Sequence, residues 1–192
     1  FLSPALTMRL IAEEQKLGTM ELLMTSPLRD YEIVMGKFLA AFSLITIMII
    51  GTFFYPLILF TFGVPDFGPI ITGYLGLLLY SASTLSIGIF ASSLSSNQLI
   101  SLIVGSGILS FLTFINFVSS RVGGVLGTIL NELQLGGSFS LFDRGSFGIA
   151  ESGHFADFAR GIINIYDLIF YISICIIFLL LTIFSLESRR WR

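Results

Sequence analysis

Charge is scarce in this chain. Asp, Glu, Lys and Arg make up 11% of its 192 residues, against about 25% in soluble domains. With 55% of the residues hydrophobic, too little polar surface exists to cover a globule in water, and the class is membrane. The net charge is −2 with no dense basic stripe, which argues against a nucleic-acid partner. Cysteine occurs once, as Cys175 inside an apolar run, so no internal disulfide can form, a packing role is expected and the redox compartment is not legible. Histidine also occurs once, as His154, with no second His or Cys at ligand spacing; an ordinary surface histidine is expected and no metal centre. No GxxxxGK[ST] loop is present, so any ATP-driven work requires another polypeptide. The chain opens Phe1-Leu2-Ser3-Pro4 without a methionine or a basic n-region; no signal peptide is visible, and a fragment lacking its true N-terminus is expected.

What is abundant fits a bilayer. The 20 phenylalanines and 19 glycines suit lipid-facing surface and close helix packing. A hydrocarbon core about 30 Å thick needs about 20 apolar residues in helix, and four segments qualify: 38–62, 70–92, 99–118 and 168–186. None of the four contains Asp, Glu, Lys or Arg. Residues 1–8 are apolar too and read as the tail of an earlier span. Gly63-Val64-Pro65-Asp66-Phe67-Gly68-Pro69 is a turn of helix-stopping residues, and Ser95-Ser96-Asn97-Gln98 is a short polar hinge. Ser101 with Gly105, Gly88 with Ser92 and Ala82 with Ser86 place small residues four apart, a spacing that admits close helix contact.

The basic residues give a direction. Arg9, Lys16, Arg29 and Lys37 precede the first span, and Arg189, Arg190 and Arg192 follow the fourth. Four crossings return both ends to one side, and the positive-inside rule makes that side cytoplasmic. The expected location is the inner (cytoplasmic) membrane, multi-pass, with a cytoplasmic C-terminus. Arg121, Arg144 and Arg160 then lie in an external loop over 119–167.

Residues 9–37, RLIAEEQKLGTMELLMTSPLRDYEIVMGK, form the informative polar stretch. Glu13-Glu14-Gln15-Lys16 is a polar helix-forming run that Gly18 interrupts. Thr19 is suited to cap a turn carrying Met20, Leu22, Leu23 and Met24. Ser26 at an N-cap and Pro27 at the first helical position restart a helix, and Ile33, Val34 and Phe38 lead it into the membrane. One reading is an amphipathic segment resting on headgroups. The acidic Glu13, Glu14, Glu21, Asp30 and Glu32 outnumber the basic residues there, a balance that an anionic leaflet disfavours. A docking surface for a soluble partner fits better.

The run EEQKLGTMELLMTSPLRDYEIVMGKFLAA resembles the cytoplasmic elbow of type-2 ABC exporter permeases, closest to the gliding-motility branch. GPIITGYLGLLLYSASTLSIGIFASSLSSNQ, HFADFARGIINIYDLIFY and SLESRRWR resemble the same branch, so the likeness covers nearly the whole chain. The resemblance implies six membrane helices, of which the first and most of the second would be absent here. It also implies that the elbow contacts an ATP-binding subunit. The matching positions are the acidic pair Glu13 and Glu14, the element Gly18, Thr19, Glu21, Leu22 and Leu23, and Pro27.

The 119–167 connection is too long for a structureless linker. Ile129, Leu130 and Leu133 recur at helical spacing, as do Phe155, Phe158, Ala159 and Ile162; Gly136-Gly137-Ser138 and Asp143-Arg144-Gly145 break the chain between them. Short interfacial or re-entrant helices are expected there, and the family resemblance implies the same. Asp157 and Arg160 stand three apart, a pairing that contributes only about 0.2–0.5 kcal/mol when exposed.

The same residues bear on other functions. An ion-coupled transporter or channel usually needs an ionisable group within the membrane, and the four segments have none. They also lack the Asp, His or HExxH of intramembrane proteases. A non-transporting scaffold would not stimulate a bound ATPase. The expectation is therefore a single all-α membrane domain: a polytopic transmembrane helical bundle with a cytoplasmic helical elbow and short external helices. It would act as an exporter permease without catalytic residues, cofactor or metal. Its expected partners are an ABC ATP-binding subunit, a second permease chain (the same or a related one) and the lipid bilayer. With Tyr55, Tyr74, Tyr80, Asn97, Gln98 and Asn116 as the main polar features of the spans, an amphipathic or lipid-linked substrate suits the walls better than an ion.

Overall fold

The computed structural model describes residues 2–19, 29–63, 66–122, 124–136 and 153–190. Every regular element among them is helical: α1 Leu2–Thr7, α2 Ala12–Leu17, α3 Asp30–Gly51, α4 Phe54–Phe62, α5 Phe67–Leu94, α6 Gln98–Val122, α7 Gly124–Glu132, α8 His154–Ala159 and α9 Ile165–Arg190. This follows from the solvent: hydrocarbon offers no partner to a backbone N–H or C=O, so a spanning segment satisfies them internally.

Four stretches are long and apolar enough to cross a membrane: Asp30–Phe62, Phe67–Leu94, Gln98–Ile115 and Ile165–Ser188. Each of the four expected spans corresponds to one of them. Helix α3 begins at Asp30, ahead of the apolar run from 38, and its start is capped from within: the Arg29 N–H donates to Glu32 Oε2 at 2.9 Å, half of a capping box. Ile33, Val34 and Phe38 are buried, as expected of the residues leading into the span. Helix α6 is capped by the polar hinge, where the Leu99 N–H donates to Asn97 Oδ1 at 3.0 Å.

The first span is interrupted, which the apolar run did not disclose. Pro56 has no N–H, so the Thr52 carbonyl loses its normal donor and accepts instead from the Tyr55 N–H at 3.0 Å. Thr52 Oγ1 donates to the Ile49 carbonyl at 2.6 Å and lies 3.1 Å from the Tyr74 hydroxyl. The chain therefore breaks between α3 and α4.

Two compact units divide the chain. The first comprises Phe1–Ile47, Ser81–Leu109 and Ile172–Arg192; the second comprises Met48–Tyr80 and Ser110–Tyr171. In the first unit, small residues let α1 approach α5 and α6. A Cβ added at Gly88 would collide with the Thr7 side chain, and one at Gly105 would lie 3.2 Å from Ala91 Cβ and 3.5 Å from Pro4 Cβ. Gly88 and Gly105 each belong to a small-residue pair singled out from the sequence. Cys175 is half-buried and its thiol pairs with the Ser86 side chain.

The second unit packs large rings. Helix α8 lies on the first half of α5: a Cβ at Gly76 would come 2.8 Å from Phe158 Cβ, and Thr72 Oγ1 donates to the Phe158 carbonyl at 2.7 Å. Tyr80 meets Phe155 and Tyr171 edge-on, with centroids 6.1 and 6.3 Å apart, and the Tyr171 hydroxyl donates to the Leu135 carbonyl at 2.8 Å. Both expected short helices form, as α7 and α8. Helix α8 ends before Ile162, because Gly161 takes φ of 88°, a left-handed conformation that terminates a helix.

Candidate coupling site

The residues singled out at Glu13 to Pro27 begin on α2. Glu13 and Glu14 sit in its first turn, where carboxylates suit the positive end of the helix dipole. Gly18 caps the helix with φ of 72°, its N–H turned to the Gln15 carbonyl, and Thr19 Oγ1 donates back to the Glu14 carbonyl at 3.3 Å. The Gly-Thr of the GTMELL element is thus a helix stop. Glu21, Leu22, Leu23 and Pro27, together with the Ser26 N-cap, lie outside the described residues.

Three residues the sequence did not assign to this site hold α2 in place. No side chain of α2's own caps its N-terminus. Ser92, near the end of α5, supplies the acceptor instead: Ser92 Oγ accepts from the Ile11 and Ala12 N–H groups at 3.2 and 3.1 Å and donates to the Met8 carbonyl at 3.1 Å. A hydroxyl has one donor and two lone pairs, and all three are used on backbone groups. Ser93, in the last turn of α5, offers its carbonyl to Gln15 Nε2 at 3.3 Å.

Lys37 on α3 is the third. Its Nζ lies 2.6 Å from Glu14 Oε1 and donates to the Leu10 carbonyl at 2.5 Å. Glu14 is therefore engaged within the chain, while Glu13 is half-exposed and Leu17 exposed. Lys37 had counted only as a topology charge and Ser92 only as a small packing residue. The sole sequence sign was a cluster of serines closing an apolar run.

The second unit holds another polar cluster, and it corrects the reading of His154 as an ordinary surface histidine. The imidazole is only 13% exposed. Its Nδ1 lies 2.5 Å from Asp167 Oδ1 and its Nε2 3.0 Å from the Glu132 carbonyl, so both ring nitrogens face oxygen acceptors. The ring stacks on Phe170 at 3.9 Å. His154 thereby ties α7, α8 and α9 together. Asp167 is buried, and its Oδ2 has no hydrogen-bond partner. It also falls inside the folded fourth span, one residue before the expected start at 168, so that span is not free of ionisable groups; Asp167 sits in its first turn, against His154. Asp157 accepts from the Asn164 side-chain amide. Among the described residues no group of three His, Cys, Asp or Glu is placed to hold a metal ion.

Residues 1–190 match the family model of the ABC-2 family transporter proteins. No curated protein and no solved structure matches the chain.

Proposed function

We propose, from the premise that this chain belongs to the ABC-2 transporter family and is the multi-pass membrane permease of an ABC transporter whose ATPase is a separate chain, that it works as an exporter coupled to that ATPase through residues 9–37. The permease lies in the inner membrane with residues 9–37 and 187–192 on the cytoplasmic side, since seven of the ten basic residues flank the first and fourth spans there. Two permease chains, identical or related, pair around the path, and two ATP-binding subunits dock beneath them. The substrate is amphipathic or lipid-linked, in keeping with spans whose polar groups are mainly hydroxyls and amides. The likeness of the 13–41 run to the gliding-motility branch supports reading it as a permease of that kind.

One observation carries the docking assignment. Helix α2 is anchored on one side through Ser92 and Lys37, yet it leaves Leu17 and Lys16 exposed immediately before the GTMELL element. An anchored helix with a free apolar and charged end suits a lever that a partner pushes.

Co-purification of the complete protein with its ATP-binding subunit in mild detergent, followed by ATPase assay in lipid, tests the proposal. A stable complex with permease-dependent ATPase is expected. Replacing Leu22 and Leu23 together with Asp is expected to abolish docking while the membrane helices stay folded; docking and stimulation that survive the double change would show that the segment is not the contact.

A further inference from the structure

If the ATPase acts on α2, the movement must leave α2 through the groups that hold it, and the geometry singles out one of them. Helix α2 has six residues, too few to persist without tertiary support. Its N-terminal N–H groups are satisfied by Ser92 Oγ, and the carbonyl of Met8, just before it, takes the same hydroxyl's proton. Ser92 is fully buried. Gln15, in the second half of α2, reaches the neighbouring Ser93 carbonyl, so α2 is bonded at two points to the same turn of α5. Close packing backs this joint, since Thr7 fills the space beside Gly88 one turn earlier in α5. Helix α5 is continuous over 28 residues, a rod of about 42 Å at the rise of an α-helix. A displacement of α2 is then a displacement of the end of α5.

We infer that Ser92 is the positioning residue through which the ATPase-driven movement of α2 is passed to α5. The inference rests on the docking role proposed for residues 9–37. Because every bond Ser92 makes is to backbone, its role depends on the hydroxyl and on its place in α5, whatever the side chains of α2. Removing the hydroxyl strands two buried N–H groups and a carbonyl, so α2 is expected to keep its partner surface and lose its fixed attitude to α5.

The test uses the complete protein reconstituted with its ATP-binding subunit, reading co-purification and permease-dependent ATPase side by side. Ser92→Ala is expected to co-purify like the wild type and to lose about tenfold of the stimulation, with Ser92→Thr, which keeps the hydroxyl, recovering most of it. Gln15→Met, which takes away the side-chain amide bonded to the Ser93 carbonyl and leaves Ser92 in place, is expected to lose about two- to threefold and carries the test should Ser92→Ala fail to accumulate. Full stimulation in Ser92→Ala or, in that event, in Gln15→Met overturns the inference, as does Ser92→Thr behaving like Ser92→Ala. Loss of docking together with stimulation in Ser92→Ala overturns it too, because Ser92 would then serve only to fold α2. The Leu22/Leu23→Asp variant separates the two levels. If it fails to dock while Ser92→Ala stimulates normally, the Ser92 inference alone falls; if it docks and stimulates normally, the docking role falls and the inference with it.

Discussion

The two units each hold a six-residue helix against long apolar ones, and they use different chemistry to do so. In the first, the Ser92 hydroxyl bonds backbone groups at the start of α2, while two side chains of α2 are held besides, Gln15 by the Ser93 carbonyl and Glu14 by the Lys37 ammonium. Small residues let α1 close in beside it, with Gly88 against Thr7 and Gly105 against Pro4. In the second unit, α8 is held through side chains: the His154–Asp167 pair, the stack on Phe170 and the packing of Phe158 and Tyr171. Hydroxyl-to-backbone joints keep a short helix in a fixed attitude while leaving its outer face to a partner. A buried imidazole–carboxylate pair commits the helix's own side chains to one arrangement. The first design suits a moving part and the second a fixed one.

Variants can sharpen that contrast, beginning with the largest expected effect. His154→Ala leaves the Asp167 carboxylate buried without its imidazole, and truncating one partner of such a pair costs about 3–5 kcal/mol. Thermal unfolding in detergent is expected to show the loss, and hydrogen exchange should rise in α8 and the first turn of α9. If exchange rises equally in α1 and α2, the two units do not behave separately.

Gly88→Ala drives a methyl into Thr7, an overpacking expected to cost about 1–3 kcal/mol. Combining it with Thr7→Ala should restore more than half of the lost melting temperature, and the absence of rescue would mean that α1 does not rest on Gly88. Lys37→Met keeps the length of the side chain but removes the ammonium from Glu14 and Leu10. With both partners partly exposed, a loss of about 1–2 kcal/mol is expected, seen as faster proteolysis between α2 and α3 with α8 unaffected. Smallest is Thr72→Val. The Phe158 carbonyl also accepts from the Gly161 N–H at 3.2 Å, so the shape-conserving loss of the Thr72 hydroxyl should cost only about 0.5–1 kcal/mol. A drop as large as that of His154→Ala would mean that the Thr72 bond holds α8 as strongly as the His154–Asp167 contact does.

Much of the fold was legible because membrane spans announce themselves locally. Twenty-residue apolar runs, the 63–69 turn and the Asn97 hinge are contiguous features, and each of the spans met a helix. The break after Gly51 was missed although Pro56 stood in plain view, because hydropathy does not register a missing N–H. Of the candidate site, the helix stop at Gly18 and the acidic first turn of α2 could be read directly. The anchors could not: Ser92 meets Ile11 across 81 positions of chain, and nothing beside Ser92 in the sequence announces the meeting. His154 was misjudged for the same reason, since Asp167 stands 13 residues away.

By itself the sequence determined a multi-pass, all-helical membrane protein with a polar, acid-rich segment before its first full span. Hydrocarbon imposes length and internal hydrogen bonding on any crossing segment, and composition shows where those conditions are met. Only the tertiary structure decided which of the few polar groups meet. In so apolar a chain a buried hydroxyl, ammonium or imidazole is stabilised by a partner that packing brings within about 3 Å, and for Ser92, Lys37 and His154 that partner comes from residues distant in sequence.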